Sequence, residues 1–169
     1  MLMAIVLAGC GSLLLGRCSS GRGVTPASAR GSARDLAFPL VDGGAWRLRD
    51  ERGHVVALNF WATWCGPCRS ETPSLAHLNA DLAAQGFRVI GISLDAASDR
   101  EVRVRSFRQA YHVNYPMAFP EAMSQIASGL EGIPTTLLFD RKGRVAKVYV
   151  GELEERTLRV DALQLLREP

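Results

Sequence analysis

Cys65 and Cys68 stand three positions apart in the stretch Asn59-Phe60-Trp61-Ala62-Thr63-Trp64-Cys65-Gly66-Pro67-Cys68-Arg69-Ser70-Glu71-Thr72-Pro73. The apolar run Val55-Val56-Ala57-Leu58 leads into it and an amphipathic run, Leu75 to Leu82, leads out. This pattern predicts a buried strand feeding a tight turn that opens a helix, with both cysteines on the helix's first turn. Thiols at that spacing lie close enough to close a disulfide with little backbone movement. Pro67 suits the position, because a first-turn N–H has no helical carbonyl to bond and its loss costs nothing. The unpaired first-turn amides and the positive end of the helix dipole favour a thiolate at Cys65. Such a thiolate is a nucleophile and a good leaving group, so the chemistry is dithiol–disulfide exchange.

A structural zinc site would need four ligands. The other two cysteines, Cys10 and Cys18, sit in an unrelated N-terminal stretch, and His77, nine residues past Cys68, has no second histidine at a matching spacing. No metal site is therefore expected. His54, His77 and His112 read as structural or surface residues.

The elements that must position the pair follow from the rest of the chain. With 169 residues there is room for one domain and a short N-terminal extension. A hydrophobic content of 47% with 22% charged residues fits a globular core. Twenty basic against 17 acidic residues leave a net charge of +3. Without basic clusters interleaved with aromatics, that excess gives no case for nucleic-acid binding. Phe38-Pro39-Leu40 and Trp46-Arg47-Leu48, split by Asp42-Gly43-Gly44, read as short edge strands about a turn. After the strand ending at Phe60 comes a helix from Cys65 to about Gln85, interrupted by Pro73 and ended by Gly86, with Leu75, Leu78 and Leu82 on one face. Phe87 to Ser93 is a second buried strand. Ser98-Asp99-Arg100-Glu101 has the form of a capping box opening a helix with Val104, Phe107 and Tyr111 on one side. Tyr115-Pro116-Met117 reads as extended and Met123 to Leu130 as a short helix. Thr135 to Phe139 and Arg144 to Val150 form a hairpin through Asp140-Arg141-Lys142-Gly143, and a last helix carries Leu158, Ala162, Leu165 and Leu166. Strands joined through helices run parallel and the hairpin adds an antiparallel edge. The fold class is α/β, a central mixed sheet covered on both faces.

Residues 1–16 carry no charged side chain and would span only about 24 Å as a helix, short of a hydrocarbon core of roughly 30 Å. They suit an export signal better than a stable span. Leu7-Ala8-Gly9-Cys10 resembles a bacterial lipobox, which makes Cys10 a lipidation candidate. Against export stand Arg17, Arg22, Arg30 and Arg34 after the run and no basic residue before it. Lipoprotein signal, uncleaved anchor and ordinary signal stay open, and a cytosolic protein is the remaining alternative. Ser19 to Ala33, rich in Ser, Gly, Ala and Arg, reads as a flexible tether. The organisation expected is thus 1–18 signal or anchor, 19–34 tether and 35–169 folded domain.

A C-x-x-C at a strand-to-helix junction is the context of a thioredoxin-like site. With Trp64-Cys65-Gly66-Pro67-Cys68, the downstream Gly132-Ile133-Pro134-Thr135 and the order of elements, residues 35–167 resemble a thioredoxin fold. Glu71-Thr72-Pro73 and the long insertion over 95–116 resemble its TlpA-like branch, membrane-tethered extracytoplasmic thiol–disulfide oxidoreductases that include the reductases of cytochrome c maturation. The resemblance implies that Cys65 is the exposed attacking thiol and Cys68 the buried resolving one, with their disulfide the only redox group and no cofactor. It implies a cis peptide at Ile133–Pro134 facing the pair, which leaves the Ile133 backbone free to pair with an extended substrate. Trp64, Gly66, Pro67, Ile133 and Pro134 would form the substrate-binding surface, and Trp61 reads as core. Cytosolic thioredoxins have a buried acid where Asn59 stands. Glu71, one turn after Cys68, is then the candidate acid–base group, with its own pKa raised by burial. The other reading of Glu71 is a solvated residue paired with Arg69 or Arg105.

Gly66-Pro67 is the dipeptide of reducing thioredoxins. A reductase outside the cytoplasm must be recharged, so the expected partners are protein disulfides, apocytochrome c among them, and a membrane thiol-transferring reductase. A peroxiredoxin would need Thr and Pro where Ala62 and Leu58 stand. A copper-delivery protein would want C-x-x-x-C. A lipoprotein that merely binds partners beside Cys65 is the non-enzymatic alternative.

Overall fold

The computed structural model describes residues 23–33, 36–96, 98–120 and 129–169. Two short strands come first, β1 (Ala37–Pro39) and β2 (Ala45–Arg47), paired antiparallel through Ala37 with Arg47 and Pro39 with Ala45. There follow β3 (Val55–Trp61), α1 (Gly66–Leu82), β4 (Phe87–Ser93), α2 (Arg100–Ala110), β5 (Met117–Ala118), β6 (Thr135–Phe139), β7 (Val145–Val150) and α3 (Glu155–Leu166). Five of these strands form one sheet in the order β5-β4-β3-β6-β7. β4 runs parallel to β3 and β5 parallel to β4, whereas β6 is antiparallel to β3 and β7 to β6. The sheet is mixed as its connections require; of the hairpin strands β6 lies inside it against β3, and β7 forms one edge, with β5 at the other.

Every residue of β3 is buried, which is why its sequence is an unbroken apolar run interrupted only by Asn59. Its side chains alternate between two cores. Val55, Ala57 and Trp61 join Leu75, Leu78 and Leu82 of α1, Val104 and Phe107 of α2, and Leu158, Ala162 and Leu165 of α3. Val56, Leu58 and Phe60 join Ile90, Ile92, Leu137 and Phe139 and are covered by Phe38, Trp46 and Leu48. Among the described residues one face thus carries the three helices and the other the β1–β2 hairpin. Trp61 is core, as its sequence context suggests, with Phe107 at 4.5 Å between ring centroids.

Gly86, with φ 93°, supplies the left-handed turn after α1, whose last residues tighten into a 3-10 turn over Ala83–Gln85. The capping box expected at Ser98 does not form: Asp99 is the N-cap of α2, its side chain makes no capping bond, and its Oδ2 accepts from Arg103 Nε at 2.8 Å. The helix expected over Met123 to Leu130 falls largely on residues 121–128, outside the described residues. So do the expected signal or anchor and the candidate lipidation site, Cys10. Among the described residues no helix is long and apolar enough to cross a membrane.

The tether expected over 19–34 is not one throughout. Thr25 N donates to Ala146 O at 2.8 Å and Ser32 bridges Arg144. The fully buried Arg30 guanidinium binds Asp140 Oδ2 at 3.1 Å and Glu168, and its Nε donates to Thr25 O at 2.7 Å. A segment poor in apolar residues is held here by charge and main-chain bonds, which hydrophobic periodicity does not register.

Candidate active site

The C-terminal end of β3 delivers the turn Ala62-Thr63-Trp64, and α1 begins directly after it. Cys65 has extended backbone, with φ −81° and ψ 113°, and is the N-cap of α1, with Pro67 in the first turn. Its sulfur accepts from the Cys68 backbone N–H at 3.3 Å, so a first-turn amide donor is aimed at Cys65 Sγ. Cys65 and Cys68 are joined in a disulfide, their Cα atoms 5.3 Å apart. Cys65 keeps 6% of its surface and Cys68 only 1%. Trp64 is 65% exposed, so it stands beside the disulfide as an open apolar surface rather than packing over it.

The turn is pinned by a buried carboxylate. Buried Asp95 accepts from Thr63 N at 3.0 Å, from Thr63 Oγ1 at 2.6 Å and from Ser93 Oγ at 2.7 Å. It ties the turn after β3 to the end of the neighbouring strand β4. A Thr two residues before the first cysteine and an Asp just past the next strand are the only signals for it.

The Ile133–Pro134 peptide is cis. Ile133 O lies 3.8 Å from Cys65 Sγ, which brings the downstream Ile-Pro-Thr stretch against the disulfide. Pro134 O accepts from Gly151 N at 2.8 Å and Thr135 Oγ1 donates to Gly132 O at 2.6 Å. Gly66 and Pro67 are exposed beside the disulfide. Of the five residues expected to form a docking surface, Trp64, Gly66 and Pro67 are exposed next to or between the two cysteines, and Ile133 O lies against Cys65 Sγ.

Glu71 lies on α1 one turn beyond Cys68 and is buried, 2% exposed. It pairs with neither Arg69, which donates to Tyr111 Oη at 2.8 Å, nor Arg105, which binds Asp42 at 2.7 Å. Its Oε1 accepts from Asn59 Nδ2 at 2.7 Å and its Oε2 from Leu153 N at 2.8 Å. Burial pushes its pKa up to about 7; the bonds from Leu153 and Asn59 oppose this, and the charge of Glu152 adds to it. Asn59 also donates to Thr136 Oγ1 at 3.0 Å, which fixes its amide between β3 and β6. The hydroxyl of buried Tyr115 is pushed up too, first by burial and then by Glu71, against a bond with Thr72. Glu71 and Cys68 are thus both buried on α1, one turn apart. Leu153, Thr136 and Tyr115 were not foreseen, because a main-chain amide or a strand hydroxyl leaves no motif.

Among the described residues no group of three or more His, Cys, Asp or Glu side chains could hold a metal. His77 Nδ1 lies 2.9 Å from Glu155 Oε1, and His54 is beside Glu51.

Comparison with known proteins agrees with this geometry. A family model described as Redoxin matches residues 28–165. The thiol-disulfide oxidoreductase ResA of Halalkalibacterium halodurans is 32% identical over 131 residues, 76% of this chain and 73% of that one. The thioredoxin-like protein YneN of Bacillus subtilis is 30% identical over 126 residues, 75% of this chain and 74% of that one. A secreted thiol-disulfide isomerase from Corynebacterium glutamicum superposes with a TM-score of 0.79 at 27% identity, covering 93% of this chain and 99% of that one. With a cysteine pair capping α1 and a cis-proline set against it, the chain belongs to the Redoxin family, as a TlpA-like thiol–disulfide oxidoreductase of the thioredoxin fold.

Proposed function

We propose that the protein reduces disulfides of extracytoplasmic proteins, in the manner of the cytochrome c maturation reductases. The observation that carries this reading is the Cys65–Cys68 pair at the start of α1, with Ile133 O 3.8 Å from Cys65 Sγ and the buried Glu71 one turn on. In the reduced protein the Cys65 thiolate, favoured by the first-turn amides, attacks one sulfur of a substrate disulfide. A mixed disulfide forms and the first substrate thiolate leaves. Glu71 takes the Cys68 thiol proton, and the Cys68 thiolate attacks Cys65 Sγ. The second substrate thiolate leaves and takes the proton that Glu71 held, and the first takes one from solvent, the counterpart of the proton Cys65 gave up on ionising. The substrate gains two electrons and two protons, and the protein is left with the Cys65–Cys68 disulfide. Ile133 and Pro134 present main chain to an extended substrate, and Trp64, Gly66 and Pro67 form the opposite lip.

The direction of electron flow is read from Gly66-Pro67. A reductase of this kind is recharged by a membrane thiol-transferring partner, and apocytochrome c is one substrate of the right chemistry. Likeness to a secreted thiol-disulfide isomerase supports work outside the cytoplasm. Cys10 would carry the lipid that holds the domain at the membrane; Cys10→Ala should move the protein to the soluble fraction of its native host, and retention in the membrane would count against lipidation. The deciding experiment is equilibration of the purified chain with dithiol–disulfide buffers, read by mass after alkylation. A potential near the −270 mV of thioredoxin, on the order of that value, fits a reductase, whereas one near about −120 mV would make the protein an oxidant.

A further inference from the structure

We propose that the groove between α1 and α2 receives the substrate segment next to the attacked disulfide and selects an acidic residue beside an apolar one. This rests on the reading of the protein as a reductase of protein disulfides. The groove has a volume of about 450 Å³ and is open to solvent, with Thr63, Arg69, Val102, Arg103, Phe107 and Tyr111 in its walls. It starts at the site itself, since Thr63 lies two residues before Cys65 and Arg69 four residues after it.

Its floor is aromatic. Phe107 and Tyr111 stack with centroids 4.2 Å apart, and Trp61 backs Phe107. On its rim Val102 is 67% exposed, and Trp64, which follows Thr63, is likewise uncovered. Val102 in the groove wall and Trp64 next to Cys65 are apolar surface left in water, which a partner covers.

The rim sets the sign of that partner. From Arg100 to Arg108 α2 carries four arginines against one acid, Glu101. All four are engaged away from the groove or matched by a neighbour. Arg105 and Arg108 both bind Asp42, and Arg100 lies 4.3 Å over the Phe119 ring. Arg103, at the rim, is matched by Asp99 at 2.8 Å. Arg69 differs. Its Nε donates to the neutral Tyr111 hydroxyl, and among the described residues no carboxylate pairs with it. A guanidinium without counter-charge above an aromatic floor fits a segment that lays an apolar side chain on Phe107 and Tyr111 and a carboxylate on Arg69. A lysine-rich segment meets repulsion there. The occupant is therefore the disulfide-bearing chain of the substrate, passing from Ile133–Pro134 over Cys65 and along α2.

The test uses the reduced full chain with two peptides, each closed by one disulfide and identical except for Asp-Phe or Lys-Phe beside the first cysteine. Hydroxyethyl disulfide serves as a small neutral probe. At low ionic strength the Asp-Phe peptide should be reduced about tenfold faster, with the gap closing toward molar salt. Arg69→Glu, an exposed position, should reverse the order of the two peptides. The ratio is read within each variant, so a general change in thiol reactivity cancels. Equal rates for the two peptides, or an unchanged order in Arg69→Glu, overturns the groove as the docking site while reduction of hydroxyethyl disulfide leaves the oxidoreductase reading standing. Failure to reduce hydroxyethyl disulfide overturns that reading and the proposal with it. A concentration-dependent dimer in sedimentation, lost in Arg69→Glu, would assign the groove to a second copy of the chain instead.

Discussion

A carboxyl buried as deeply as Glu71 is costly to ionise, and both of its oxygens are bonded to limit that cost. Its pKa rises from 4.5 to about 7 on folding, so folding favours the protonated form. The penalty is absent below the unfolded value, grows as pH rises between the two and is complete above about 7. At about 1.4 kcal/mol per pKa unit, ionised Glu71 destabilises the oxidised protein by roughly 3 kcal/mol. Glu71→Gln removes the titration but not the bonds. If the Asn59 amide turns over, Oδ1 accepts from both the new Gln amide and the Thr136 hydroxyl, while Leu153 N keeps its acceptor. The variant should therefore fold, show little pH dependence of stability between about 4.5 and 7, and be the more stable protein at pH 8. Its disulfide exchange should be roughly tenfold slower near neutral pH, with a flattened pH profile, because Cys68 has lost its proton acceptor. Stopped-flow exchange and urea unfolding across pH measure the two effects. An unaltered rate and profile would leave Glu71 as a merely structural group. The position of Glu71 was legible from its one-turn spacing after Cys68. The ligands that set its pKa were not, since Leu153 acts through its backbone 82 residues away and Asn59 announces only that no acid stands there.

At the scale of elements, the start of α1 divides the two thiols by position alone. Cys65 caps the helix and receives an amide donor, whereas Cys68 lies inside the first turn with 1% of its surface left. In the reduced protein Cys65 should titrate well below a free thiol, at about 8.5, and Cys68 should not. Iodoacetamide labelling against pH, followed by mass spectrometry, should modify Cys65 first; preferential labelling of Cys68 would reverse their roles. Cys68→Ser should then hold a long-lived mixed disulfide on Cys65, and Cys65→Ser should hold none. The β3–turn–α1 unit was readable because an apolar run, a Pro in the first turn and a leucine face all agree on it. The inward place of β6 was not readable from a hairpin pattern, which looks the same at a sheet edge and inside a sheet. Ser98 misled because the helix starts one residue later than the box requires, with Asp99 rather than Ser98 as the N-cap.

For the whole molecule, the register of β6 separates two poles. Thr135 pairs with Phe60 at the cysteine end of β3, and Phe139 pairs with Val56 at the other end, so Asp140 lies about 20 Å from Pro134 along the strand. The N-terminal segment is strapped to that far pole through Arg30, Asp140 and Glu168. Composition alone reads residues 19–34 as a tether, because the forces that hold this strap are a buried ion pair and main-chain bonds rather than an apolar stripe. Burial would raise the Asp140 pKa, but bonds from Arg144 and Arg30 outweigh it and hold the carboxyl below its ordinary 3.8. That stabilisation is present above the unfolded value and is lost as pH falls through the lower folded one. Arg30→Met keeps most of the apolar stem and deletes the charge, leaving Asp140 with Arg144 and the Lys142 main-chain amide and freeing half-buried Glu168 toward water. Removing one partner of a buried pair costs about 3–5 kcal/mol, and the lower end applies here because Arg144 remains. The melting temperature should fall by roughly 10 °C. Reduction of hydroxyethyl disulfide should be unchanged at a temperature where both proteins are folded, since the substitution lies at the pole away from the dithiol. An unshifted melting temperature would mean that the strap contributes nothing and that the fold is complete without it. A slowed reduction would mean that the two poles are coupled through β6.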